Sequence, residues 1–377
     1  MTRSNTARAG SNLLNARPDL SCVLPPATSV RISAVLMSPD QPRLTIVTPS
    51  KNGARYLVEA IESVRRQRYP NLEHIVVDAC STDGTLELLA RYPDIIVISE
   101  PDHGSQDALN KGIARATGDI IGELNVDDLY ADGILDAIGK TFAGDESIDV
   151  VVGHSLVFEE DISGAKHLLM AHTHARQNGL WLPELTFGIP GICGCFFHRR
   201  VFSTVARFRT EYELAADRRL LIALKLAEVK SVRIDQPAIL YRHHSGSATI
   251  NPTKPNLRKL SHEYFRMAAE LAQEAANDPT NRRIFLAWHA IEGAKLLLRS
   301  LSEWKFDAAA KIVTSLLRQN SWLPVSFVRG LLLREAVRSA IREDERRFGA
   351  ARHLEDSTPI EHEVAGPPIN GTRSYLS

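Results

Sequence analysis

The chain lacks a net charge. Its 45 lysines and arginines balance 45 aspartates and glutamates, so no basic field is available for nucleic acid and any anionic ligand must be held locally. Cysteine is scarce. Cys22, Cys80, Cys193 and Cys195 make no disulfide framework, and Cys193-Gly194-Cys195 lacks the companion spacing of a metal site, so all four read as free thiols of a reducing compartment. No secretory leader is evident, and the expected location is cytoplasmic. Nowhere do about 18 apolar residues run together, which argues against a helix spanning a bilayer. The first strand-to-helix turn lacks G-x-G-x-x-G and no segment matches G-x-x-x-x-G-K-[ST], which weakens any case for a dinucleotide oxidoreductase or a P-loop NTPase.

What is present is enough apolar sequence, 44% of 377 residues, for one large core or two smaller ones. Strand and helix patterns alternate from residue 44. Leu44–Thr48, His74–Val77, Ile95–Ser99, Ile120–Leu124 and Val150–Val152 are short strands. Helical periods separate them, ending near Gln67, Arg91, Ala116 and Phe142. This alternation predicts an α/β fold with a mostly parallel sheet flanked by helices, whose ligands bind beyond the carboxyl ends of the strands. Residues 1–42 and 346–377 are polar and aperiodic and are expected to be disordered tails, with Met37 a candidate start. Residues 43–250 form the main domain, and 251–345 a helical appendage.

Three consecutive strand ends carry carboxylates. The second ends in Asp78-Ala-Cys-Ser-Thr-Asp-Gly-Thr85; turn and cap chemistry explains Ser81, Asp83 and Gly84, whereas Asp78 could accept the N3–H of a uracil. The third runs into Ser99–Gly112, where Asp107 and Asn110 open a helix and Lys111 could reach a phosphate, or the segment is a plain helix entry. The fourth ends in Asn125, Asp127 and Asp128. Hard oxygens there suit Mg²⁺ or Mn²⁺, and the competing reading is an acidic helix cap.

TPSKNG, DACSTDGT, SEPDHG, DALNKG and ATGDIIGELNVDD, in this order and spacing, resemble a family 2 glycosyltransferase of the GT-A nucleotide-sugar-binding fold, over roughly Arg43 to Thr249. The resemblance implies a nucleotide-sugar donor, a divalent cation (Mn²⁺ or Mg²⁺), and direct displacement with inversion at the anomeric carbon. It places Thr48 and Pro49 beside the nucleoside, Asp78 on the base, and Asn125-x-Asp127 on the family's DxD position, with Asp127 the metal ligand. Asn125 departs from that pattern; its amide can bind a ribose hydroxyl but brings no charge to the ion, and Asp128 is the candidate to compensate as a further metal ligand.

In similar enzymes the acidic residue at the position of Asp217, at the entrance of a helix, is the general base. Ile239–Thr249 reads ILYRHHSGSAT, close to the family's terminal pattern after the last strand. His244 there is a candidate to complete the metal shell, and Arg242 to meet the diphosphate charge. The expected activity is transfer, from a donor expected to be UDP-linked, to a hydroxyl of a glycan or lipid-linked acceptor in cell-surface polysaccharide synthesis. The alternative is a non-catalytic nucleotide-sugar-binding or scaffold protein with a decayed metal site. The helices after Pro252 carry basic residues and Trp322-Leu323-Pro324, which suit peripheral contact with the inner face of a membrane, or equally a lid or dimer contact.

Overall fold

The computed structural model describes residues 41–172, 179–189, 191–205, 207–247 and 254–352. The tails expected at the two ends, apart from 41–42 and 346–352, lie outside these residues, as do Cys22 and Met37. The first half alternates as its apolar runs require: β1 (Leu44–Ser50), α1 (Ala54–Arg65), β2 (Leu72–Asp78), α2 (Thr85–Leu89), β3 (Ile96–Ser99), α3 (Ser105–Arg115) and β4 (Ile120–Glu123). All seven residues of β1 are buried, as befits a strand covered on both faces. β1 lies parallel to β2 and β4, and β2 to β3. The carboxyl ends of all four strands therefore meet at one edge.

The second half departs from the parallel expectation. β5 (Leu129–Tyr130), α4 (Ile134–Gly144), β6 (Val150–Glu160), β7 (Lys166–His172), α5 (Leu182–Phe187), β8 (Cys195–His198), α6 (Arg200–Thr204), α7 (Ala216–Leu226) and β9 (Ser231–His243) complete it. The sheet order is β3-β2-β1-β4-β8-β6-β9-β5, with β7 on β6. β8 enters antiparallel to both β4 and β6, while β6 and β9 are parallel. Ile239–His243, expected beyond the last strand, is the end of β9, because Ile239 and Leu240 pair with β5.

Alternation along each strand feeds two cores. Leu44 and Ile46 face a layer containing α4, whereas Val47, Ile75 and Val77 face α3 and α7. Each such side chain contributes about 1.5–3 kcal/mol of burial. α3 lies so close to β1 that a Cβ on Gly112 would come within 2.3 Å of Val47.

Four helices follow: α8 (Lys254–Glu274), α9 (Pro279–Ser302), α10 (Phe306–Gln319) and α11 (Leu323–Arg352). Asp278 caps α9 by accepting from the amides of Thr280 and Asn281. Met267, Leu271, Phe285 and Trp288 share the core of α3 and α7, so α8 and α9 are joined to the sheet rather than merely appended. Glu263 of α8 accepts from the backbone amides of Glu213, Leu214 and Ala215, which sets the entry to α7. α11 continues through residues 346–352, the start of the stretch expected to be a tail. Among the described residues no helix is long and apolar enough to cross a membrane.

Candidate functional site

At the carboxyl edge of β1 to β4 lies a cleft of about 420 Å³. Pro49 and Asn125, expected at the donor, and Asp127, expected on the metal, line it, together with Lys51, His103 and Glu213. Lys51 and His103 belong to the TPSKNG and SEPDHG segments but were given no role from sequence. They bring basic groups to the cleft itself.

Asp127 is partly exposed, and its Oδ2 stands 2.9 Å from Nε2 of His244. The Tyr56 ring packs 5.2 Å from that imidazole. The structure thus brings Asp127 and His244 together. Asp128 behaves differently: it is buried, and its carboxylate accepts from the backbone N–H of Arg242 at 2.9 Å and the amide of Asn125 at 3.3 Å. Burial, then the neighbouring Asp127, holds its carboxyl well above the usual range. Asp128 ties the loop to β9 and faces away from the role of cation ligand.

Arg242 also departs from expectation. Its guanidinium is buried, donating from Nε to the Asp127 carbonyl at 2.9 Å, from Nη2 to Glu59 at 2.9 Å, and from Nη1 to Glu160. The rings of Tyr56 and Phe158 cover it at 4.8 and 4.9 Å. With its donors engaged, Arg242 supports the Asp127 loop from behind rather than meeting a diphosphate. Lys111 is likewise spent, on Glu100 at 3.1 Å, Asp107 at 3.3 Å and the Pro101 carbonyl. Asp107 accepts from the His103 amide, so the pair shapes the loop that carries His103.

Thr48 and Asp78 lie beneath the cleft, both fully buried. Thr48 Oγ1 is 3.0 Å from His74 Nε2. The Asp78 carboxylate accepts from the amide of Ser81 at 2.8 Å, from its hydroxyl at 2.5 Å, and from Ser99 at 3.3 Å, which closes the turn after β2.

Asn125 donates to Asp128 and, at 3.2 Å, to Cys193 Sγ. An aspartate there would set a second carboxylate against that of Asp128, whereas the amide supplies a donor, which is the physical reason for the departure from DxD. Cys193 marks where the acids converge. Burial, then Glu123, Asp128, Asp217 and Asp127, push its thiol far above the usual value and leave it unreactive.

Glu123, the last residue of β4, was passed over in the sequence. It is buried, Oε2 has no hydrogen-bond partner among the described residues, and Oε1 is 3.9 Å from Cys193 Sγ. Burial, then Asp217 and Asp128, raise its carboxyl well above normal, which favours the neutral acid over the carboxylate. Its only sequence signal was its place at a strand's carboxyl end beside the acidic loop.

Asp217 stands in the first turn of α7, partly buried, with its carboxyl raised chiefly by burial. Neither adjacent arginine takes it as an ion pair. Arg218 donates to the carbonyls of Leu185, Thr186 and Gly188, and Arg219 is paired with Glu274. The carboxylate is therefore left available with a raised pKa, as a general base requires.

No group of three or more cation-ligating side chains occurs among the described residues. Mg²⁺ and Mn²⁺ need few protein ligands where phosphates and water complete the shell. Asp127 Oδ2 and His244 Nε2 fit such a partial set.

Strand ends gathering carboxylates over a cleft, with a mixed second half-sheet and C-terminal helices, define the GT-A class of fold. Residues 45–204 match the family model described as Glycosyl transferase family 2, and this segment is a family 2 glycosyltransferase domain. The chain is 38% identical over 95 residues to the putative teichuronic acid biosynthesis glycosyltransferase TuaG of Bacillus subtilis, covering 24% of this chain and 38% of that protein. It is 29% identical over 185 residues to a PGL/p-HBAD biosynthesis glycosyltransferase of Mycobacterium bovis, covering 47% of this chain and 67% of that one. The chain thus spans well under half the length of the first relative. In structure it resembles residues 1–349 of TarS from S. aureus in complex with UDP-GlcNAc, with TM-score 0.55 and 14% identity over 83% of this chain and 92% of that one.

Proposed function

We propose that the protein is an inverting glycosyltransferase that moves a sugar from a nucleotide-sugar, of the uridine diphosphate class, to a hydroxyl of a glycan or lipid-linked acceptor during cell-surface polysaccharide synthesis. The observation that carries this reading is the partly buried Asp217, which makes no ion pair among the described residues and lies within electrostatic reach of Glu123 at the end of β4. The teichuronic acid and PGL/p-HBAD relatives support the surface-glycan setting, and the UDP and UDP-GlcNAc in the TarS complexes support the donor class.

In this mechanism Asp217 withdraws the proton of the acceptor hydroxyl. The oxygen attacks the anomeric carbon, the bond from that carbon to the diphosphate oxygen breaks, and the nucleoside diphosphate leaves with the electron pair. One displacement inverts the configuration. Lys51 and His103 attract the diphosphate, Asn125 presents its amide to the donor, and Pro49 walls the nucleoside side of the cleft. A divalent cation held by Asp127 and His244 would supply charge neutralisation for the leaving group. Arg242 and Asp128 hold Asp127 in place through the Asp127 carbonyl and the β9 backbone.

Removing the base tests the reading. Asp217→Asn is expected to keep donor affinity while kcat falls by about 10²–10⁴-fold. Asp127→Asn should instead weaken Mn²⁺-dependent donor binding measured by calorimetry. Normal turnover by Asp217→Asn refutes the assignment of the base. A decayed, non-catalytic site would show no transfer in the native chain, and Asn125, the one hint of decay, is accounted for by its bonds to Asp128 and Cys193.

A further inference from the structure

Exposed apolar surface is concentrated in one part of the molecule. Of 21 exposed large hydrophobic side chains among the described residues, twelve lie between Leu298 and Leu332. They follow helical spacing on the outer faces. On α10, Phe306, Val313 and Leu317 stand at i, i+7 and i+11, on the exposed flank of an apolar stripe whose buried part, Ala309, Ile312 and Leu316, packs the helix onto its neighbours. On α11, Val325, Val328 and Leu332 stand at i, i+3 and i+7. The turns on either side of α10 present Trp304 and Trp322, which are 79% and 73% exposed, and Trp304 packs edge-on against Phe306. An apolar stripe wider than the surface its neighbours cover has a second partner to find.

The charge around this surface identifies that partner. Between Lys295 and Arg342 stand nine lysines and arginines and only three carboxylates, in a chain with no net charge. One of the three, Glu303, is paired with Lys305 and Arg258. Lys311 and Arg318 are exposed on α10, and Arg338 continues the outer face of α11 seven residues beyond Leu331. A second copy of the same face would oppose cation to cation. An anionic lipid headgroup layer over hydrocarbon matches both features: basic side chains meet the headgroups, leucines and valines enter the acyl boundary, and the two tryptophans take the interface.

We propose that the outer face of α10 and the amino-terminal part of α11, with the turns at Trp304 and Trp322, dock this protein on the surface of an anionic membrane. The helices lie in the interface without crossing it, in accord with the absence of a bilayer-spanning helix among the described residues. This inference stands on the surface alone and is independent of the catalytic reading.

The test is co-sedimentation of the full chain with vesicles of mixed phosphatidylglycerol and phosphatidylcholine, against phosphatidylcholine alone, with tryptophan emission as a second readout. Binding to the anionic vesicles only, weakened by salt and accompanied by a blue shift, is expected. Each basic side chain near such a surface is worth about 1 kcal/mol, so Lys311→Ala with Arg318→Ala should weaken binding about thirtyfold. Trp304→Ala with Trp322→Ala should abolish the blue shift and reduce binding, while a circular dichroism melt identical to that of the native chain shows the fold intact. No binding to anionic vesicles, binding indifferent to both double variants, or a stable dimer that the tryptophan variants dissociate would each overturn the proposal.

Discussion

Two histidines make the stability of this fold acid-sensitive, by an amount that the structure sets. His289, on α9, is fully buried, stacked 4.3 Å from the Phe265 ring, with neither ring nitrogen hydrogen-bonded among the described residues. Burial pulls its pKa from 6.5 down to about 4. His74, on β2, is buried beside Thr48, and burial, opposed by Asp94, also brings it to about 4. Both folded pKa values lie below the unfolded one, so the unfolded chain takes up the proton first. Stability is fully present above about pH 6.5 and is lost as the pH falls through the window from there to about 4. A shift of this size corresponds to about 3 kcal/mol for each histidine, a large share of the roughly 5–15 kcal/mol of a typical fold. His289→Phe keeps the stacking with Phe265 and cannot be protonated. Urea denaturation of both proteins across that window should show the variant losing about 3 kcal/mol less between neutral pH and about pH 4. Parallel stability curves would refute the reasoning, because they would mean that His289 is solvated or paired in the native state.

Other perturbations probe the site from different sides. Glu123 has a folded pKa above its unfolded value, so its contribution is present below about pH 4.5 and is lost as the pH rises toward the folded pKa; Glu123→Gln, an isostere of the neutral acid, should raise Tm near pH 8 and leave it little changed near pH 4. Arg242→Met leaves Glu59 and Glu160 sharing Lys166 as their remaining cation and frees the Asp127 carbonyl. A loss of about 3 kcal/mol in denaturant titration is expected, at the low end for a broken ion pair because Glu59 is half-exposed, together with weaker metal-dependent donor binding. Gly112→Ala drives a methyl group into Val47 and should cost about 1–3 kcal/mol by the same titration, with donor affinity unchanged.

The first half of the fold was legible because its signals are local. Each of β1 to β4 is an apolar run stopped by turn residues, and a parallel arrangement follows from the helices between them. The second half was less so. Whether β8 enters parallel or antiparallel depends on the path between β6 and β8, which no period encodes, and the end of β9 was concealed by its polar Tyr241-Arg242-His243. At the site, Pro49, Asn125, Asp127, Asp217 and His244 stand where the motif order places a cleft, a loop and a helix entrance.

The sequence by itself determined that strand ends would carry acids at one edge and that an acidic residue would open α7. Those features depend on neighbours a few residues away. Only the tertiary structure decided what each group faces. Arg242 meets Glu59 across 183 residues and Glu160 across 82, and its backbone reaches Asp128 across 114. Such contacts depend on how β9 lies beside β6 and behind the Asp127 loop. The same packing withdraws Arg242 and Asp128 from the cleft, raises the Glu123 carboxyl above its ordinary range beside Cys193, and leaves Asp217 without an ion pair among the described residues by turning Arg218 toward the carbonyls of Leu185, Thr186 and Gly188. Residue type set which groups can ionise. Burial and long-range partners decided which of them are free to act.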